Sequence, residues 1–218
     1  IKENFNVPAK MTVFSWNGNI DTMMTPMDSM RYFKSFLQSS LMSVESHTGH
    51  VKAYVGGIDY KFFKYDHVTQ ARRQVGSTFK PFLYTLAMQE GEYTPCTTVP
   101  NISYSIEMPD GKFWEPRDAG TSKFGEEVTL KWALAHSNSR ISTYLMKRFG
   151  PEAVIQMARR MGVTSPIQAV PSICLGVCDI SLYEMVGAMN TFANQGVYVK
   201  PSFITKIEDK NGNVIEYF

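Results

Sequence analysis

The chain has 218 residues, 44% hydrophobic and 19% charged, with 22 basic against 20 acidic side chains and a net charge of +2. That length suits one domain with a sizeable core, and the composition excludes disorder, collagen and coiled coil. The near balance of charge argues against a nucleic-acid partner, and no run of about 18 apolar residues exists to form a membrane-spanning helix.

The first 35 or so residues read as irregular or β, with turn signals at Asn17-Gly18-Asn19 and Thr25-Pro26. Residues 1–40 are assigned to a linker or the end of a preceding domain. Ile1 in place of Met points to a piece of a longer protein. Leu41 to Ser46 and His50 to Val55 are short strand-like runs, and the residues between them, with Gly49, make a hairpin turn. Ser77 to Glu90 is predicted to be a helix: Phe79, Phe82, Leu83, Leu86 and Ala87 recur at helical spacing, Pro81 falls in the first turn, and Gly91 is the stop. Thr94 to Glu127, with Pro95, Pro100, Pro109 and Pro116, reads as a long loop.

Three further helices follow: Thr129 to His136 with Thr129 as cap, a run to Phe149 broken by Gly150-Pro151, and Pro151 to Met161. Ser181-x-x-Glu184 is a capping box opening a helix to about Ala193. The tail, Phe203 to Glu208 and Val214 to Tyr217 around Asn211-Gly212, is a β-hairpin. Strands at both ends with helices between define an α+β class, a helical cluster packed on an antiparallel sheet.

Four histidines, His47, His50, His67 and His136, show no metal-ligand spacing, and no metal or other cofactor is expected. Three cysteines cannot make a complete disulfide framework. Cys174 and Cys178 could pair with each other in an oxidising compartment.

Chemistry concentrates at Ser77 and Lys80. Three residues apart on one helix, their side chains are neighbours. A serine hydroxyl becomes a nucleophile when a nearby base takes its proton, and a lysine amine with a lowered pKa can be that base. Unpaired amides at a helix start can stabilise a developing oxyanion. The bare spacing by itself favours a capped helix with an exposed lysine.

The flanks decide between these readings. Arg72-Arg73-Gln74-Val75-Gly76-Ser77-Thr78-Phe79-Lys80-Pro81 closely resembles the nucleophile segment of class A penicillin-binding proteins, R-R-Q-P-G-S-x-F-K-P, with Val75 in place of the usual proline. Thr48 to Gly57 is similar to the family's T-G-x-v-x-A-x-v-G-G strand. Leu175-Gly176 and Phe192 to Pro201 are similar to L-G and F-A-N-x-G-v-y-v-x-P. Tyr65-Asp66-His67-Val68 resembles versions from the Bacteroidetes. The likeness spans residues 41–218, the N-terminal part of a transpeptidase domain.

The resemblance implies the fold shared by penicillin-binding proteins and serine β-lactamases, and a D,D-transpeptidase that cross-links peptidoglycan. Ser77 would be acylated by a stem peptide ending in D-Ala-D-Ala, with Lys80 as general base. The family's S-x-N motif matches Ser137-Asn138-Ser139, so Ser137 would shuttle a proton to the leaving amine. Ser139 stands where the family has Asn; it and Asn138 would bind substrate. Trp114 would line the donor cleft. β-Lactams would inhibit by acylating Ser77. The third motif, K-[ST]-G, does not occur; His47-Thr48-Gly49 precedes Ser77 and is rejected as a substitute, as Ser15-Trp16-Asn17 is for the second motif. The chain thus resembles a fragment ending before that third motif. Its parent would be membrane-anchored through a segment outside this chain, on the periplasmic side of the inner membrane. The alternative is a non-catalytic wall-binding or scaffold fragment of the same fold.

Overall fold

The computed structural model describes residues 4–90, 93–108, 110–116 and 122–218. Ile1, Gly91 and Pro109, used above, lie outside them.

A hairpin of β1 (Ala9–Val13) and β2 (Ile20–Met24) is followed by α1 (Pro26–Lys34). The helix corrects the expectation of irregular chain there. Thr25-Pro26 is not a turn but a helix start: the Thr25 hydroxyl accepts from the Asp28 amide and Pro26 holds the first helical position. Next come β3 (Leu41–Val44) and β4 (Val51–Val55), an antiparallel hairpin with Leu41 opposite Val55. Its turn is fastened to a later helix, because His47 Nδ1 bonds Asn194 Oδ1 at 3.0 Å and Asn190 donates to the Ser46 carbonyl.

β5 (Arg72–Gln74) leads into a 3₁₀ turn, Gly76–Phe79, and then α2 (Lys80–Gln89). The helix expected from Ser77 is therefore divided. Pro81 has no N–H to give the Ser77 carbonyl an α-helical bond; the Lys80 amide bonds it instead, one residue earlier, in the 3₁₀ pattern. All five apolar positions predicted for this helix are buried.

The expected long loop contains three short strands and ends at a fourth, in two ribbons: β6 (Thr98–Pro100) pairs with β9 (Glu127–Thr129), and β7 (Ile106–Glu107) with β8 (Phe113–Trp114). The helices α3 (Leu130–Ala135), α4 (Ser139–Phe149) and α5 (Pro151–Arg160) then pack around α2. Phe82 and Leu83 of α2, Ile141 and Leu145 of α4 and Val154 of α5 are inaccessible to solvent and form the centre of the core. After a 3₁₀ turn, Pro171–Leu175, β10 (Asp179–Ser181) pairs antiparallel with β5, and α6 (Leu182–Ala193) follows. A terminal hairpin of β11 (Lys206–Glu208) and β12 (Val214–Tyr217) closes the description. The predicted strand from Phe203 starts late because the Ser202 hydroxyl bonds the Ile204 backbone and turns the chain. Among the described residues the strands form two-stranded ribbons rather than one wide sheet.

The capping box at Ser181 is present and reaches further than its own helix. Glu184 accepts from the amides and hydroxyls of Thr164, Ser165 and Ser181, tying α6 to the loop after α5. Burial alone would raise this carboxyl, but those hydrogen bonds outweigh it and hold its pKa at about 2, against an ordinary 4.5. Above 4.5 both folded and unfolded chains carry the charge and the stabilisation is complete. As pH falls from 4.5 towards 2 the unfolded chain takes up its proton first, and the stabilisation is lost. After allowance for solvent screening of a half-buried group this is about 2 kcal/mol. Urea unfolding should show Glu184→Gln less stable than wild type at pH 6, with the gap closing by about that amount at pH 2.5.

Candidate active site

Ser77 and Lys80 sit on one short piece of backbone but in different environments. Ser77 is exposed, while Lys80 is 1% exposed. In a 3₁₀ turn residues i and i+3 eclipse each other, so the division of the helix keeps the two side chains neighbours. The Lys80 amine donates to the Ser137 hydroxyl at 3.0 Å and to the Ser137 carbonyl. The two sequence motifs, 57 residues apart, thus meet at one buried nitrogen.

Ser137 lies in the three-residue break between α3 and α4, with a left-handed backbone at φ +51°. That conformation costs a residue with a Cβ about 1–2 kcal/mol, and such strain gathers at functional sites. It is held by the bonds from the Ser137 amide to Leu134 O and from the Asn138 amide to Ala133 O, together with the Lys80 contact.

Asn138 is held at both ends. Its Oδ1 caps α4 by accepting from the Ile141 amide at 3.0 Å, and its Nδ2 donates to Asn101 Oδ1 at 3.1 Å. Those bonds make Asn138 a residue that positions the motif. Sequence reading missed Asn101, which is fully buried and also donates to the carbonyls of Ser122 and Lys123. It binds the 122–126 turn to the second motif. That turn is further clasped by Arg140 over the Phe124 ring and Lys123 over Trp132, which itself stacks on His136 at 4.2 Å.

Ser139 occupies the first position of α4, half-buried, its carbonyl accepting from Thr143 Oγ1. Trp114 pairs with Ile106 across the β7–β8 ribbon and packs against the core. Cys174 and Cys178 are free thiols. Burial pushes Cys174 up to about 12, despite a bond to Thr143 and the nearby Lys80, so it stays a protonated thiol. His47-Thr48-Gly49 is the β3–β4 turn and Ser15-Trp16-Asn17 the β1–β2 turn, and each spends its hydroxyl on its own hairpin or a neighbouring carboxylate.

The turn carrying Ser77 is braced from behind. The Val75 amide bonds the Cys178 carbonyl at 3.1 Å, and the Gly76 amide bonds the Gly176 carbonyl at 3.0 Å. With β5 paired to β10, the nucleophile segment is fastened on both sides of residues 175–178.

An exposed serine three residues before a buried lysine, with a second serine bonded to that lysine, is the residue set that serine acyl transfer uses. Residues 40–216 match the penicillin binding protein transpeptidase domain, and residues 1–37 match the penicillin-binding protein middle domain. The chain therefore belongs to the penicillin-binding protein transpeptidase family. It is 34% identical over 181 residues to penicillin-binding protein 1A of Aquifex aeolicus, covering 83% of this chain and 24% of that protein. To penicillin-binding protein 2D of Bacillus subtilis it is 34% identical over 184 residues, covering 83% and 26%. The crystal structure of penicillin-binding protein 1A from Haemophilus influenzae superposes with a TM-score of 0.73 at 28% identity, over 83% of this chain and 27% of that one. The expected α+β transpeptidase fold is thus present, and the chain spans about a quarter of the length of these relatives.

Proposed function

We propose that this chain carries the acylating centre of a peptidoglycan D,D-transpeptidase. The observation that carries the reading is the buried Lys80 amine bonded to Ser137 and eclipsed with Ser77. Burial disfavours a charged amine, which suits Lys80 to take the Ser77 proton. Ser77 Oγ then bonds the carbonyl carbon between two terminal D-alanines of a stem peptide. The C–N bond breaks, and the departing amine of D-Ala takes a proton through Ser137. An amine of a second stem attacks the acyl-serine and restores Ser77. Ser139 and Trp114 are assigned to the donor cleft. A β-lactam follows the first half of this path and stays on Ser77. The parent protein is assigned to the periplasmic side of the inner membrane, anchored outside this chain, with residues 1–40 the end of a preceding domain.

A second reading, a non-catalytic wall-binding fragment, is favoured by Ser139, whose hydroxyl is shorter than the family's Asn amide and cannot both donate and accept at the same reach. Intact mass after incubation with benzylpenicillin decides between them. A single adduct, mapped by peptide mass to the segment holding Ser77, is expected. No adduct on a chain that unfolds cooperatively, or an adduct elsewhere, overturns the transpeptidase reading.

A further inference from the structure

Away from Ser77, the loop between β4 and β5 folds back on the end of β4 and encloses a recess of about 220 Å³. It is lined by Gly56-Gly57, by the aromatic residues Tyr54, Tyr60, Phe63 and Tyr65, and by Lys64. Ligand pockets for drug-sized molecules start at about 300 Å³, so this space suits a single ring.

The walls are fixed from outside. Tyr65 sets its ring edge-on to His67 at 5.2 Å, Tyr54 packs on Phe203 at 5.4 Å, and Phe63 is wedged against Phe14 and Phe33 at 5.5 and 5.6 Å. Asp59 braces the turn that presents Tyr60: its side chain accepts from the Phe62 amide and its carbonyl from that of Phe63. Yet Tyr60 is 80% exposed and Tyr65 54% exposed. Exposed rings carried on a braced turn offer a surface for stacking.

The polar groups select among ligands. Asp66 accepts from the Tyr54 hydroxyl, the Val68 and Thr69 amides and the Thr69 hydroxyl, which fills the acceptor sites of a carboxylate. It therefore orients Tyr54 rather than taking an ammonium ion, and Lys64 repels one. An anion meets the negative faces of the rings and the Asp66 charge. What remains is a neutral ring with C–H faces to stack and hydroxyls to bond: Tyr54, whose O–H is directed at Asp66, accepts, and Lys64 donates.

We infer that this recess binds one neutral pyranose ring of a glycan, between Tyr60 and Tyr65 over Gly56-Gly57. The inference stands on the recess alone and does not depend on Ser77 being reactive. Chitotetraose, a neutral oligosaccharide, is titrated into the 218-residue chain by calorimetry and saturation-transfer NMR. Saturable binding is expected, weakened about tenfold by Tyr60→Ala or Tyr65→Ala, since an aromatic contact is worth about 0.5–1.5 kcal/mol. Tyr217→Ala, which removes another exposed ring that does not line the recess, should leave binding unchanged. Tyr60→Leu keeps bulk without the ring and should match Tyr60→Ala. Absence of saturable binding, equal weakening by Tyr217→Ala, or tetramethylammonium binding at these tyrosines without displacement by chitotetraose overturns the assignment. Benzylpenicillin adduct formation in the same variants should equal wild type, so failure here is distinct from failure at Ser77.

Discussion

Lys80→Met should slow adduct formation with benzylpenicillin on the order of 10³-fold, and Ser77→Ala should abolish it. A positioned general base contributes about 10²–10⁴-fold, and methionine keeps the length and packing of the lysine stem while removing the nitrogen. The fold should survive. Lys80 is buried, and replacing a buried amine by an apolar chain of similar volume offsets lost hydrogen bonds with avoided desolvation. A change of about 1–2 kcal/mol in urea unfolding is expected, from the Ser137 carbonyl and hydroxyl left without that donor. Lys80→Arg separates the base from its charge. Guanidinium does not release its proton in proteins, so this variant should be as slow as Lys80→Met. If Lys80→Arg keeps most of the wild-type rate, Lys80 acts as a fixed charge and the proton from Ser77 goes elsewhere.

The parts of this site legible in sequence were the local ones. Ser77 and Lys80 are three residues apart, so helical geometry alone makes them neighbours, and the buried stripe from Phe79 to Ala87 followed from spacing. Ser137 is 57 residues from Lys80. No periodicity connects them, and only the family likeness did. The left-handed backbone of Ser137 was illegible because nothing in Ala135-His136-Ser137 demands it; tertiary contacts impose it. The positioning role of Asn138 was illegible for a related reason: an Asn before a helix is a cap on local grounds, and its second partner, Asn101, lies in a segment whose polar, proline-rich composition read as loop. Helix α1 was missed because Thr-Pro serves turns and helix starts alike, and the Asp28 that settles it comes three residues later. The box at Ser181 was legible from Glu184, but the same carboxylate's hold on Thr164 and Ser165 is long-range.

Gly176→Ala should cost more than about 3 kcal/mol and slow acylation about 10²-fold, whereas Gly76→Ala should cost about 1–2 kcal/mol. The two glycines face each other and share similar left-handed backbones, φ +73° at Gly176 and +56° at Gly76. Backbone strain from an added Cβ is thus nearly equal, about 1–2 kcal/mol. Their clearances differ. A Cβ on Gly76 meets nothing within 4 Å, while one on Gly176 would lie 1.8 Å from the Gly76 carbonyl oxygen and 2.6 Å from its nitrogen. Those are backbone atoms of the turn that carries Ser77, and they cannot swing aside as a side chain could. Relief requires moving that turn, which breaks the bond from the Gly76 amide to the Gly176 carbonyl and carries Ser77 away from Lys80 and Ser137. Displacements of about 1 Å at a reacting group cost about 10²-fold in rate, so a Gly176→Ala chain that still folds should nonetheless acylate slowly. Urea midpoints and adduct rates on both variants test this. Equal stabilities would show that the close approach at residue 176 yields without moving the nucleophile, and the bracing of Ser77 from behind would then rest on the pairing of β5 with β10 alone.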